Sequence, residues 1–281
     1  MSTQPLVWLR GGGDLGTGVA HRLFRAGFPL VVTEIAQPMV VRRAVAFASA
    51  VFEGLCEVEG VTAERVTDER AAADLLRLDH VPVLVDPEGT LVRRMAPGIL
   101  VDARMLKRAP AARLTDELIV IGLGPGFTAG LDADAVIETQ RGHDLGRVIL
   151  NGGAAADTGV PGAVSGYSLE RVLFAPCDGA VQGAAAIGDV VQAGQVVALV
   201  AGQPVVATLS GVLRGLLHDG ISVQKGRKLG DIDPTGVREH CFTISDKARA
   251  IGGGVLEAAF YLLHRNCGEW DAAIEPEPRI G

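Results

Sequence analysis

The feature that most constrains this chain is a strand, a glycine loop and a helix in immediate succession near its start. Leu6–Arg10 is an apolar run, Gly11-Gly12-Gly13-Asp14-Leu15-Gly16 follows at once, and Val19, Leu23 and Phe24 then share one face of a helix ending at Gly27. A second apolar run, Leu30–Thr33, closes on Glu34, 18 residues beyond Gly16. In this β-α-β frame Gly11 makes the turn, Gly13 admits a phosphate to the backbone, and Gly16 lets helix and strand approach. The helix start presents unpaired N–H groups and a positive dipole end to an anion. Glu34 stands where an acid can hold a ribose hydroxyl. Asp14 counts against the reading, because its carboxylate is repelled by a pyrophosphate unless it points away or bonds a sugar. Two readings stay open: a nucleotide-binding loop, or a turn that only packs helix on sheet.

The alternation of strand and helix continues to about Leu150. Val40–Phe52 is expected to be helical, with Arg42-Arg43 as a phosphate contact or a solvated face. Asp68–Leu78 reads as a helix capped by Asp68, and Val81–Val85, Ile99–Val101 and Leu118–Ile121 read as strands. After the last of these, Gly122–Gly130 forms a rigid glycine-rich loop whose Gly124, Gly126 and Phe127 are expected at the ligand crevice, since carboxyl-end loops flank it in open α/β sheets. Ala135–Ile137 is a short strand leading to Glu138, Arg141 and His143. Arginine offers a planar fork for phosphate or carboxylate, and imidazole can donate, accept or ligate near neutral pH. The plainer alternative is a turn in which Glu138 pairs with Arg141 and His143 is solvated.

The second unit carries a duplication. Residues 175–194 recur 32 positions later: Ala175, Gly179, Gly183, Gly188, Val191, Gln192 and Gly194 match Ala207, Gly211, Gly215, Gly220, Val223, Gln224 and Gly226. Glycines at turn points with short β-branched runs between them indicate strands and turns, not helix. The spelling resembles the biotinyl/lipoyl barrel-sandwich hybrid. No lysine occurs between positions 108 and 224, so a carrier with a swinging lysine arm is excluded. Beyond it, Cys241–Ile244 reads as a strand and Ser245 as the cap of a helix running to about His264. Lys247 sits in its first turn, expected to face the ligand. Gly252-Gly253-Gly254 inside that helix costs roughly 1 kcal/mol per glycine, which points to another backbone close by, a ligand, or a break.

The expected architecture is α/β: a Rossmann-like dinucleotide-binding domain over 1–168, a small barrel-sandwich hybrid over 169–236, and a C-terminal helical segment over 237–281 that returns to the first domain and ends in a loose tail. The net charge is −7 with no basic run, which argues against a nucleic-acid partner because phosphate neutralisation supplies most of that affinity. The apolar stretch near Val196–Val206 is interrupted by Gly202, Gln203 and Pro204, too short for the ~20 residues a membrane span needs. Cys56, Cys177, Cys241 and Cys267 lie far apart with no C-x-x-C pair, so neither a zinc ribbon nor a disulfide framework is expected, and a reducing cytoplasm is the expected compartment.

Four stretches together resemble the YqeB family of selenium-dependent molybdenum hydroxylase system proteins: Arg10–Gly18, Gly124–Gly130 with Glu138–Arg147, Gly211–Pro234, and Ser245–Glu257. The resemblance implies an accessory or maturation factor for xanthine-dehydrogenase-like enzymes, with such a molybdenum hydroxylase as client. It implies molybdopterin dinucleotide or a nucleotide precursor on the Gly11–Gly16 loop, and makes Cys177 and Cys241 candidates for handling sulfur or selenium, where a thiolate is the nucleophile. It supplies no catalytic residues. The competing reading is an NAD(P)-dependent oxidoreductase, which needs a poised acid or base opposite the nicotinamide.

Overall fold

Val7, Trp8, Leu9 and Arg10 are all buried, as a strand covered on both faces requires. In the computed structural model, which describes residues 4–108, 118–159 and 165–266, this run is the centre of a nine-stranded sheet. Its strands are β1 (Val7–Arg10), β2 (Leu30–Glu34), β3 (Leu55–Val58), β4 (Val61–Val66), β5 (Val81–Val85), β6 (Ile99–Asp102), β7 (Ile119–Leu123), β9 (Ala135–Ile137) and β10 (Val148–Ile149), in the order β10-β9-β7-β6-β1-β2-β5-β4-β3. Seven run parallel, and antiparallel pairs β3/β4 and β9/β10 close the two edges. The short strands β8 (Thr128–Ala129) and β11 (Gly152–Gly153) pair separately.

Alternate residues of β1 feed two cores. Val7 and Leu9 face the core that contains helix α1 (Asp14–Arg25), while Trp8 faces the other. Three shorter helices follow: α2 (Ala50–Glu53), α3 (Glu69–Leu76) and α4 (Thr90–Arg93). Asp68 caps α3 by accepting from the Ala71 amide at 2.8 Å. The last helix, α5 (Asp246–Asn266), lies against α1 and buries Ile251, Val255 and Ala259 in the first core.

The glycines of α5 explain this crossing. A Cβ on Gly252 would stand 2.7 Å from the Gly18 carbonyl oxygen of α1, and one on Gly254 would stand 2.1 Å from that of Gly146. A Cβ on Gly18 would in turn stand 2.7 Å from Ala248 Cβ. The backbones touch where side chains are missing.

Residues 172–233 form two separate four-stranded antiparallel sheets. The strands are β12 (Val172–Phe174), β13 (Gly179–Gly183), β14 (Val190–Val191), β15 (Val196–Val200), β16 (Gln203–Val206), β17 (Gly211–Leu216), β18 (Ser222–Val223) and β19 (Lys228–Asp233), ordered β12-β19-β17-β14 and β16-β15-β13-β18. The 32-residue repeat maps β13-β14-β15 onto β17-β18-β19. Each copy's first strand pairs with the other copy's second strand, β13 with β18 and β17 with β14. The matched turn glycines share a left-handed conformation, with φ +96° at Gly188 and +83° at Gly220.

The expected Rossmann-like domain followed by a barrel-sandwich hybrid and a C-terminal helix is corrected by this topology. A doubly wound sheet places a helix in each parallel crossover, yet β7 reaches its parallel neighbour β9 through Thr128–Ala129 with no helix. Part of the missing cover comes from α5, at the far end of the sequence. The sheet is mixed, with an antiparallel strand at each edge, and the repeats build two separate sheets.

Two local expectations also change. Val40–Phe52 is not one helix but two 3-10 turns, Arg43–Val45 and Phe47–Ser49, followed by α2. Its backbone is claimed elsewhere: the Ala48 amide donates to Gly12 O at 2.9 Å and the Phe47 amide to Thr17 Oγ1 at 2.8 Å. Arg238–Cys241 is a 3-10 turn where a strand was expected to begin. The expected loose tail from Gly268, and Cys267 before it, lie outside the described residues. Among the described residues, no helix is long and apolar enough to cross a membrane.

Candidate functional site: a cationic cavity at the head of α1

The N-terminus of α1 opens into a cavity of about 1130 Å³. Gly13 is the N-cap residue, and no side chain among the described residues caps the helix. The Gly16 position has no room for a side chain, since a Cβ there would lie 2.1 Å from Gly11 O. Gly11 has φ +95°, a conformation that favours glycine. A Cβ on Gly13, by contrast, meets nothing within 4 Å. Gly11 and Gly16 therefore shape the turn, and Gly13 leaves open space at the head of the helix.

The cavity collects residues from distant parts of the chain. Gly11, Gly13, Asp14, Gly16, Glu34, Arg141 and Lys247 all line it, together with Pro125 from the second glycine loop. Gly124, Gly126, Phe127 and His143 do not. Gly124 backs onto Thr139, a Cβ on Gly126 would strike Leu106 O at 2.3 Å, and the Phe127 ring is core, covering Gly122. His143 is exposed on a turn.

Nine lining residues are lysine or arginine and five are aspartate or glutamate, so this interior is locally cationic in a chain of net charge −7. Arg10, at the carboxyl end of β1, is buried, donates to Pro87 O at 2.7 Å and lies over the Trp8 ring. Burial, and then the neighbouring Arg104, pull its pKa down. Arg104 forks onto the buried Asp102 at the end of β6. These strand ends flank the point where strand order reverses about β1, where open parallel sheets place ligands.

Glu34 is held differently from the ribose-binding expectation. Its Oε1 accepts the Gly12 amide at 2.7 Å and its Oε2 the Ile35 amide at 3.1 Å. Burial pushes its pKa up, and the two amides draw it partly back. One loop amide is thus spent on a carboxylate at the head of α1. Asp14 bonds Arg42 at 3.4 Å, which offsets the repulsion its charge would exert.

Glu138 does not pair with Arg141. Its oxygens accept the Gln140 and Ala155 amides, each at 2.7 Å. Arg141 instead forks onto Asp246 of α5 at 2.7 and 2.9 Å, which raises the Arg141 pKa and lowers that of Asp246. Beside this pair Lys247 is half-buried, with its pKa lowered first by burial and then by Arg141.

Sequence reading alone did not find Arg10, Arg104, Arg171, Arg214 and Lys228, which also line the cavity. Only the position of Arg10, directly before the glycine loop, carries a local signal. Neither Cys177 nor Cys241 is among the lining residues. Cys241 is fully buried, its thiol is pushed up by burial, and the Cys56 thiol is pushed up to about 11. Native protein treated with iodoacetamide at pH 8 is expected to leave Cys241 and Cys56 unmodified and to alkylate both after denaturation, as read by peptide mass spectrometry. Rapid native alkylation of Cys241 would contradict this packing. Among the described residues, no group of three or more His, Cys, Asp or Glu side chains is placed to hold a metal ion.

No protein-family model matches the chain. Solved structures with some likeness include an aspartoacylase family protein from Mesorhizobium loti, 14% identical, covering 82% of this chain and 85% of that one with a TM-score of 0.26. The ectoine utilization protein EutE from Ruegeria pomeroyi is 13% identical with the same coverage and a TM-score of 0.26. A succinylglutamate desuccinylase/aspartoacylase from Rhodobacter sphaeroides is 14% identical, with 82% and 86% covered and a TM-score of 0.27. Scores this low carry no argument. A curated relative, the uncharacterized protein YqeB of Escherichia coli K12, is 47% identical over 264 residues, 94% of this chain and 49% of that protein. The chain thus spans about half the length of the relative it matches.

Proposed function

We propose that this chain binds a dinucleotide-type ligand through its pyrophosphate at the head of α1, and that it serves as an accessory or maturation factor for selenium-dependent molybdenum hydroxylases. The observation that carries the binding part is the uncapped α1 N-terminus opening, at the unobstructed Gly13, into a cavity with a cationic lining. Helix N-termini favour anions through free amides and the dipole. The volume is in keeping with a large ligand, since small-molecule sites span roughly 300–1,000 Å³. The maturation role rests on the YqeB resemblance.

Molybdopterin dinucleotide would meet this lining at its pyrophosphate. When bound it supplies its own sulfur ligands for the metal. The Gly13–Gly16 amides and Arg10 would grip the pyrophosphate, while Lys247 would neutralise its charge. The alternative, an NAD(P)-dependent oxidoreductase, shares the grip of the Gly13–Gly16 amides and Arg10.

Thermal unfolding with NAD, NADP, CTP, ATP and molybdopterin dinucleotide tests the proposal. A ligand at one hundred times its Kd stabilises by about 2.7 kcal/mol, which at ~2–4 °C per kcal/mol for a chain of this size raises Tm by about 5–11 °C. The expected result is a shift of that order with a dinucleotide and a smaller one with the mononucleotides. No shift with any of the five would overturn the binding proposal. Turnover of NADH or NADPH by the purified chain would favour the oxidoreductase.

A further inference from the structure

The part of the cavity wall built by the antiparallel sheets carries cations that a pyrophosphate on the glycine loop leaves unused. Arg171 and Asp231 form a buried pair at 2.6 Å and neutralise each other. Arg214 on β17 and Lys228 at the start of β19 line the same cavity. The carboxylate nearest Arg214 is Asp233, at 3.7 Å, long for an ion pair. The side chain of Lys228 has no ion-pair or hydrogen-bond partner among the described residues.

Arg42 connects this wall to α1. Its side chain is 10% exposed, and its guanidinium reaches Asp14 at 3.4 Å and the carbonyls of His240 and Thr243 at 3.0 and 3.1 Å. The Nε atoms of Arg42 and Arg214 are both buried without an acceptor. An orphaned buried donor is destabilising, and more so when it carries charge. Burial lowers the Arg42 pKa and the charge of Arg214 lowers it further, so the two guanidiniums repel each other. Asp14, Asp231 and Asp233 balance the three arginines, and Asp231 Oδ1 is itself buried without a donor; the charge of Lys228 and the unmet Nε donors remain for an anion to relieve.

We propose that Arg214 and Lys228 form a second anion subsite, and that the cavity accepts a ligand carrying a phosphoryl group remote from its pyrophosphate. The inference builds on the pyrophosphate reading of the glycine loop. It narrows the ligand class to nucleotides with phosphoryl groups at two separated positions. Bidentate guanidinium–phosphate contacts suit Arg214, and an ammonium point charge suits a phosphate approached from one side.

Calorimetric titration of the full chain with inorganic pyrophosphate at low ionic strength separates the two sites, because screening is weak there. Two binding events per chain are expected. Lys228→Gln and Arg214→Gln should each weaken one of them at least tenfold and spare the other, Lys228→Arg should retain both, and Gly13→Val should remove only the event that the first two variants spare. Lys228 is half-buried and its side chain has no partner among the described residues, so Lys228→Gln decides the matter even if Arg214→Gln fails to fold. A single event, abolished by Gly13→Val and indifferent to Lys228→Gln, overturns the second subsite and leaves the glycine-loop reading intact. A single event lost in Lys228→Gln and kept in Gly13→Val supports the subsite and removes the glycine-loop reading. No binding of pyrophosphate at all overturns both.

Discussion

Gly13→Val is expected to fold like the parent and to lose at least a hundredfold in affinity for whichever dinucleotide stabilises it, about 2.8 kcal/mol at 1.4 kcal/mol per decade. The two halves of this expectation have separate causes. Gly13 has φ −64° and ψ −178°, an extended conformation open to any residue, and a Cβ there meets nothing within 4 Å. The fold therefore loses only the N-cap preference of glycine over valine, of order 1 kcal/mol. The same open space is cavity, so the isopropyl group occupies the place where a phosphate would meet the helix amides. Gly16→Ala is the contrasting variant. Its methyl group would lie 2.1 Å from Gly11 O, so it should lower Tm as well as binding. Calorimetry and thermal unfolding on both variants check this. Unchanged affinity in Gly13→Val would show that the loop serves packing alone.

The second expectation opposes helix propensity. In an exposed helix, glycine to alanine stabilises by up to about 1 kcal/mol. Gly253 meets that condition, because a Cβ there has nothing within 4 Å, and Gly253→Ala should raise Tm by a few degrees. Its neighbour should behave in the opposite way. In Gly254→Ala the new methyl would press on Gly146 O at 2.1 Å and on Ile137 Cγ2 at 3.1 Å. Overpacking of this kind costs about 1–3 kcal/mol, and at ~2–4 °C per kcal/mol Tm should fall by several degrees. Thermal unfolding of the two variants side by side is the measurement. Equal signs would mean that α5 does not approach the sheet edge as closely as its glycines indicate.

The strand–loop–helix–strand unit from Val7 to Glu34 was legible because its determinants are local. Apolar runs set the strands, a 3.6-residue period sets α1, and the turn at Gly11 needs a positive φ. The duplication was legible for a similar reason: Gly188 and Gly220 mark equivalent left-handed turns. The glycine triplet of α5 gave the right alarm, close approach by another backbone, without naming Gly18 and Gly146 as the neighbours. Where local reading misled, a distant partner had claimed the groups in question. Glu34 is bound by the loop amide of Gly12 rather than left open for a ribose. Arg141 chose Asp246, 105 residues away, over Glu138 three residues away. Phe127 turned inward to cover Gly122.

The sequence by itself determined that a helix N-terminus with a bare glycine backbone follows a buried strand, and that residues 175–194 and 207–226 make matching strands and turns. Both follow from backbone sterics and short-range periodicity, which act within a few residues. Tertiary structure alone decided that the copies exchange strand partners, that α5 supplies part of the helical cover, and that Arg171, Arg214 and Lys228 meet the glycine loop across one cavity. Convergence of that kind is fixed by packing and by which buried charges find partners. Neither leaves a periodic trace along the chain.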